Sequence, residues 1–138
     1  MITLQRAHLQ WLEGLIFYSL RRLGCAEQKL EAARSGLCEV GETANKAVLD
    51  LDLATLFVEM NRPRESQRRA EEALQVLATV QLEKEAMVAL QVVRRAVELG
   101  RLTFELLESL RDHLGFLGIP SVIRHGETCI EASDYGDS

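Results

Sequence analysis

The chain is poor in proline, with 2 in 138 residues, and that excludes polyproline or collagen-like material. Proline is absent before Pro63 and then again until Pro120, so long stretches can run as helix without interruption. Cysteine is equally sparse. Cys25, Cys38 and Cys129 form no Cys-x-x-Cys pair, so neither a zinc knuckle nor a dithiol redox motif is present. Cys25 and Cys38 fall at helical positions beside apolar neighbours and are expected to act as small hydrophobes. Reduced thiols point to a cytoplasmic setting. Positive charge is in deficit: 16 Lys and Arg against 21 Asp and Glu give a net charge of −5. A general binder of nucleic acid or anionic membrane needs the opposite field, so neither partner is expected. The most apolar stretch, Leu9 to Leu20, is interrupted by Gln10 and Glu13 and falls short of the roughly 20 residues of a membrane span. The N-terminus is amphipathic from its first residues, unlike a signal peptide.

What the sequence does have is a 47% hydrophobic content, too high for a disordered chain, in a length that suits one domain. Apolar residues recur at spacings of three and four throughout, and no strict alternation survives, so the fold class is all-α. The spacing predicts six helices in three antiparallel hairpins. The first covers about 2–22 and carries Leu4, Ala7, Leu12, Leu15, Ile16, Leu20 and Leu23 inward. The second starts near Cys25 with a stripe of Ala26, Leu30, Ala33 and Leu37, and Gly41 provides its stop. The third, about 42–60, is apolar nearly all round and is expected at the centre. The fourth, about 63–80, starts on Pro63, and the fifth, about 82–99, ends at Gly100. The sixth, about 102–117, ends at Gly118 and Pro120. Residues 1–118 thus read as a helical domain. Residues 119–138 read as an irregular tail, with a strand-like piece at Val122–Ile123.

The turns inside the hairpins fall at Arg21, Asn61 and Gly100, which are 40 and 39 residues apart. Aligned on them, Gly14 matches Ala54 and Val93, and Ala26 matches Ser66 and Glu105. Leu30 then matches Ala70 and Ser109, and Ala33 matches Ala73 and Asp112. The first two units keep small residues where paired helices must approach, and the third loses them. This arrangement resembles the tetratricopeptide repeat over roughly residues 6–117. The stretches WLEGLIFYSLRRLGCAEQKLEAARSGL and LDLDLATLFVEMNRPRESQRRAEEALQVL look like divergent repeats near the C-termini of larger bacterial proteins. EKEAMVALQVVRRAVELGRLTFELLESLRDHL looks like the helical pair that closes such arrays. The resemblance implies stacked hairpins of α-solenoid type whose first helices line a concave groove. On that basis the partner-binding groove would hold Trp11, Tyr18, Leu51, Thr55, Glu59, Arg94 and Glu98.

No His-Glu-x-x-His, Gly-x-Ser-x-Gly, Walker-type loop or Gly-x-Gly-x-x-Gly occurs, and no metal or cofactor site is expected. A hydrolase using Asp50, His113 and Glu108 would need groups from distant helices to converge. Asp50 reads instead as one half of an ion pair with a neighbouring arginine or as an exposed position, with a ligand role facing a groove as the alternative, and His113 as a solvated helix terminus that suits the dipole. The arginine cluster Arg62, Arg64, Arg68 and Arg69 is diluted by Glu65, Glu71 and Glu72 and lacks interleaved aromatics. The function expected is a non-catalytic scaffold that binds a peptide or protein segment in the groove. The alternative is a homo-oligomerisation module, a dimer through the N-terminal hairpin, or the C-terminal piece of a larger bacterial regulatory protein.

Overall fold

A computed structural model describes residues 3–114 of the chain. Six helices follow one another: α1 Thr3–Ser19, α2 Leu23–Glu39, α3 Thr43–Glu59, α4 Pro63–Leu77, α5 Lys84–Glu98 and α6 Phe104–His113. The expected tail, the Val122–Ile123 piece, Cys129 and the last turn foreseen for α6 lie outside the described residues. Among the described residues there is no strand, so the all-α reading holds.

The chain reverses by one device used four times. Arg21, Gly41, Asn61 and Gly100 all take positive φ, from 61 to 76°. In each case the next residue's N–H reaches back to a carbonyl five positions earlier: Arg22 to Phe17, Glu42 to Leu37, Arg62 to Phe57 and Arg101 to Ala96. This bond closes the helix end and satisfies carbonyls that would otherwise be orphaned. Gly41 and Gly100 enter the left-handed region without a Cβ penalty, and Asn61 tolerates it better than most residues. Arg21 has no such ease. The three residues between α1 and α2 and between α3 and α4 become five between α5 and α6.

Helices α1 and α2 form the first hairpin, and their small residues make close approach possible. A Cβ on Gly14 would lie 2.8 Å from Cγ of Leu30 and 3.3 Å from its backbone nitrogen. In the second hairpin the Ser66 hydroxyl donates across the contact to the Ala54 carbonyl at 2.8 Å. Helix α2 packs on α3. Beyond it, α3, α4, α5 and α6 form a closed ring in which α4 neighbours α5 and α6 returns to α3. The third hairpin thus closes on the second as a four-helix arrangement, with α6 rather than α5 against α3.

Helix α3 belongs to two cores. Val48, Leu49, Leu53, Leu56 and Phe57 join Ala7, Trp11, Leu15 and the α2 stripe Ala26, Leu30, Ala33 and Leu37. Ala47, Leu51 and Ala54 join Ala70, Ala73, Leu77, Leu90, Leu107 and Leu110 on its other side. A helix covered on opposite sides has no need of a polar face, which explains its all-round hydrophobicity. Two expectations need correction. Ile16 and Leu20, expected inward, are 47% and 60% exposed, because Trp11 is the α1 residue that fills the seam with α2 and α3. Cys25 and Cys38 are exposed thiols rather than core residues, since the α2 stripe is complete without them.

Gly14→Ala should destabilise the protein in a urea titration followed by the single tryptophan. The helix-propensity gain of up to about 1 kcal/mol is outweighed by the contact with Leu30. Gly14→Val should cost more, roughly 2–3 kcal/mol.

Candidate functional site

Two charged networks tie the helices together, one fully buried and one partly exposed. The first centres on Asp52 of α3. Its carboxylate accepts from the indole N–H of Trp11 at 2.9 Å and from Nε of Arg111 at 3.0 Å. The Arg111 guanidinium lies 5.9 Å from the Trp11 ring centroid, within cation–π range. Trp11 and Arg111 are fully buried and Asp52 is 5% exposed. One carboxylate thus ties α1 and α6 to the central helix.

The sequence spacing from Gly100 missed this arginine. Counted from the helix starts instead, Arg111 occupies the position of Leu30 in α2 and Ala70 in α4. Leu107 then matches Ala26 and Ser66, and Leu114 matches Ala33 and Ala73; all of these are buried. The two extra residues in the last turn shift the register. That insertion was the available signal for a charged residue at a core position.

The second network joins α2 to α4. Arg62 grips both carboxylate oxygens of Glu27 at 2.9 and 3.1 Å, and it also bonds Glu65. Arg69 does the same with Glu31 at 2.9 and 3.2 Å, and Arg34 bonds Glu72 at 2.8 Å. Arg34 also reaches Asp50 of α3 at 2.6 Å, with Lys46 at 3.6 Å on the other carboxylate oxygen. Asp50 is 1% exposed. Burial pushes its carboxyl above the ordinary range, and the neighbouring Arg34, Lys46 and Arg69 offset this only in part. The Arg62 guanidinium holds the Glu65 carboxyl below its usual value. Half of the arginine cluster is consequently spent on acids, and Arg64 and Arg68 alone face solvent.

The seven residues expected to line one groove fall in three places. Trp11, Leu51 and Thr55 are buried, the last with its hydroxyl on the Leu51 carbonyl at 2.9 Å. They have no open surface to offer: Leu51 and Thr55 lie on α3, which is enclosed on both sides, and Trp11 fills the seam of α1 with α2 and α3. Tyr18 and Glu59 meet at the end of the first two hairpins, where Arg21 bonds Glu59 at 2.7 Å and lies 5.8 Å from the Tyr18 ring. Arg94 and Glu98 are exposed on α5 and line a shallow depression of about 320 Å3 with Glu71 and Gln75 of α4.

The open apolar concavity lies elsewhere, between α5 and α6. It measures about 520 Å3, with Val88, Ala89, Val92, Val93 and Leu106 as its apolar wall. Lys84, Glu85, Ser109 and His113 supply the polar rim. Val88 and Val92 are 58% and 47% exposed, which is unusual for β-branched residues one helical turn apart. His113 is exposed and its Nδ1 lies 2.8 Å from the Ser109 carbonyl. The sequence carried a signal here as well. At the 39-residue offset, Val88 and Val92 match Leu49 and Leu53 of α3, both buried in the core shared with α2. Among the described residues no group of His, Cys, Asp or Glu could hold a metal ion. No helix of the described residues is long and apolar enough to cross a membrane. No protein-family model, curated protein or solved structure matches this chain.

Arg111→Met and Asp52→Leu should each cost about 3 kcal/mol, since either leaves a buried charge without its counterpart. The double variant should cost clearly less than their sum, a coupling that a denaturation cycle measures directly. Asp50 sets a pH dependence. Because its folded carboxyl sits above the unfolded value, the folded state binds the proton more tightly, and stability from this group rises as pH falls. Relative to Asp50→Asn, the natural chain should therefore gain stability between pH 7 and pH 4. A relative loss in the same urea titrations would mean that Arg34 dominates instead.

Proposed function

We propose that the chain is a non-catalytic protein-interaction module that holds an apolar or amphipathic segment of a protein partner between α5 and α6. The observation that carries this reading is the groove itself, with two exposed valines on its wall and both signs of charge on its rim. Exposed apolar side chains gathered in a concavity mark an interaction site. A helical segment with anchors at i, i+3 and i+4 is the shape that an interhelical groove accepts. Lys84 and Glu85 at the rim would set the direction of a charged partner, while the valines and Leu106 supply the binding area.

The groove moves the expected binding surface from the first helices as a set to the last hairpin. The reading keeps the tetratricopeptide likeness, and a bacterial origin with it, on the strength of Gly14, Ala26, Ala33, Ala54, Ala70 and Ala73 at the close approaches. It departs from a regular array in the third hairpin. Catalysis finds little support: Asp50 is enclosed by Arg34 and Lys46, away from the rim where His113 stands. Two exposed thiols, Cys25 and Cys38, suit a cytoplasmic setting in which they stay reduced.

The test is a photo-crosslinking residue placed at Val92 in one experiment and at Arg68, on the outer face of α4, in another. A partner captured at position 92, absent at 68 and lost when Val88→Asp is added, supports the groove. Identical capture at both positions, or capture indifferent to Val88→Asp, rejects it. Val88→Asp itself should leave thermal stability nearly unchanged, because an exposed side chain is being replaced.

A further inference from the structure

The groove leaves unexplained a second apolar face, at the opposite end of the molecule. Leu9 and Ile16 of α1 and Leu20, just past its end, are 55%, 47% and 60% exposed and follow one another at seven and four residues. The 40-residue repeat says what such a stripe is for. Thr3 matches Thr43, Ala7 matches Ala47, Phe17 matches Phe57, and the turn residues Arg21 and Asn61 share φ values of 62° and 61°. In this frame Leu9 corresponds to Leu49, Ile16 to Leu56 and Leu20 to Met60. Leu49 and Leu56 are buried, 0% and 1% exposed, in the core formed with Ala26, Leu30, Ala33 and Leu37 of α2. The chain thus contains the same face twice, covered in one place and open in the other, and the cover is the second helix of a hairpin.

We infer that the outer face of α1 is a docking surface for a helical hairpin of the α1–α2 kind, whose second helix would lie on Leu9, Ile16 and Leu20 as α2 lies on α3. The flanking residues define the cover further. Where Asp50 receives Arg34, α1 has Gln10, so the incoming helix needs no buried cation at that point. Where α3 has Leu53, α1 has Glu13, which Lys29 holds at 3.1 Å and draws toward α2. The cover is therefore a helix with a small and apolar stripe, neutral at its centre. This surface is independent of the α5–α6 groove, and either can fail without the other.

The experiment extends the full chain by one hairpin in register: a second copy of residues 1–42 is joined to Thr3, which takes the place of Thr43. The added α2 then follows the same turn onto α1 that the natural α2 follows onto α3. Docking predicts that Leu9→Glu with Ile16→Glu, placed in the downstream copy, lowers the melting temperature of the extended chain by roughly 5 °C or more. The same pair in the natural chain should shift it by no more than about 2 °C. Amide exchange along downstream α1 should also slow at least tenfold on extension. Circular dichroism checks that every variant remains helical, and Arg68→Glu serves as a surface control. Equal melting shifts in both chains, or unchanged exchange, overturn the proposal. Light scattering on the natural chain supplies a separate refutation. A dimer dissolved by Leu9→Glu would assign the face to a second copy rather than to a hairpin.

Discussion

The arrangement depends on one buried carboxylate. Asp52 sits on the helix shared by both cores and accepts from Trp11 on one side and Arg111 on the other. Burying three polar groups is a poor source of net stability, since desolvation offsets most of the attraction. Its effect lies in register. Aliphatic side chains tolerate a small slip of one helix on another, whereas a slip here strands an ion in a medium where that is costly. Because the two partners come from α1 and α6, the first and last described helices, a single contact fixes both outer hairpins against α3.

With α3 fixed, the rest follows from how each first helix is covered. All three carry an apolar stripe on the outer side: Leu9 and Ile16 on α1 with Leu20 just beyond it, Leu49, Leu53 and Leu56 on α3, Val88 and Val92 on α5 with Leu99 just beyond it. The middle stripe is buried and the outer two are open. The α5 stripe is open because hairpin three docks through its inner side. Ala86, Leu90, Val93 and Val97 face α6 and the second hairpin together. The same choice that closes the four-helix ring thus exposes Val88 and Val92 and creates the groove. The charged ladder between α2 and α4 serves the opposite end of the scale, linking the hairpins through partly exposed pairs. Each such pair contributes little alone, but together they specify which acid meets which base.

Much of this was legible from spacing. The α2 stripe is a clean four-three-four pattern and all four of its residues are buried. The turns at Arg21, Asn61 and Gly100 announced themselves by their periodicity, and each has the left-handed residue that a tight helix end needs. The central place of α3 could be read from its lack of a polar face. The face of α1 could not, because its apolar residues cover most of the circumference and periodicity alone does not say which arc is inside. Trp11 decides that, and it decides it through Asp52, a hydrogen bond across 41 positions of sequence. The burial of Trp11, Leu51 and Thr55, expected on an open face, has a related reason. Assigning the first helices to an open face presumes that each hairpin meets the last in the same way, whereas the third also returns its second helix, α6, to α3.

The cause of that difference is local. A five-residue turn before α6, in place of three, delays the helix by two positions, and the core residues of α6 move with it. Had the turn kept its length, Ser109 and Asp112 would stand where Leu30 and Ala33 stand in α2, and neither suits a core without a partner. The longer turn brings in Leu107, Arg111 and Leu114 instead. Two of these are apolar, and the third meets Asp52 on α3, whose other carboxylate oxygen is already held by Trp11 of the first hairpin. The insertion and the buried arginine are thus two parts of one solution. They let the last hairpin close against the second, at the cost of an apolar stripe left on the outside.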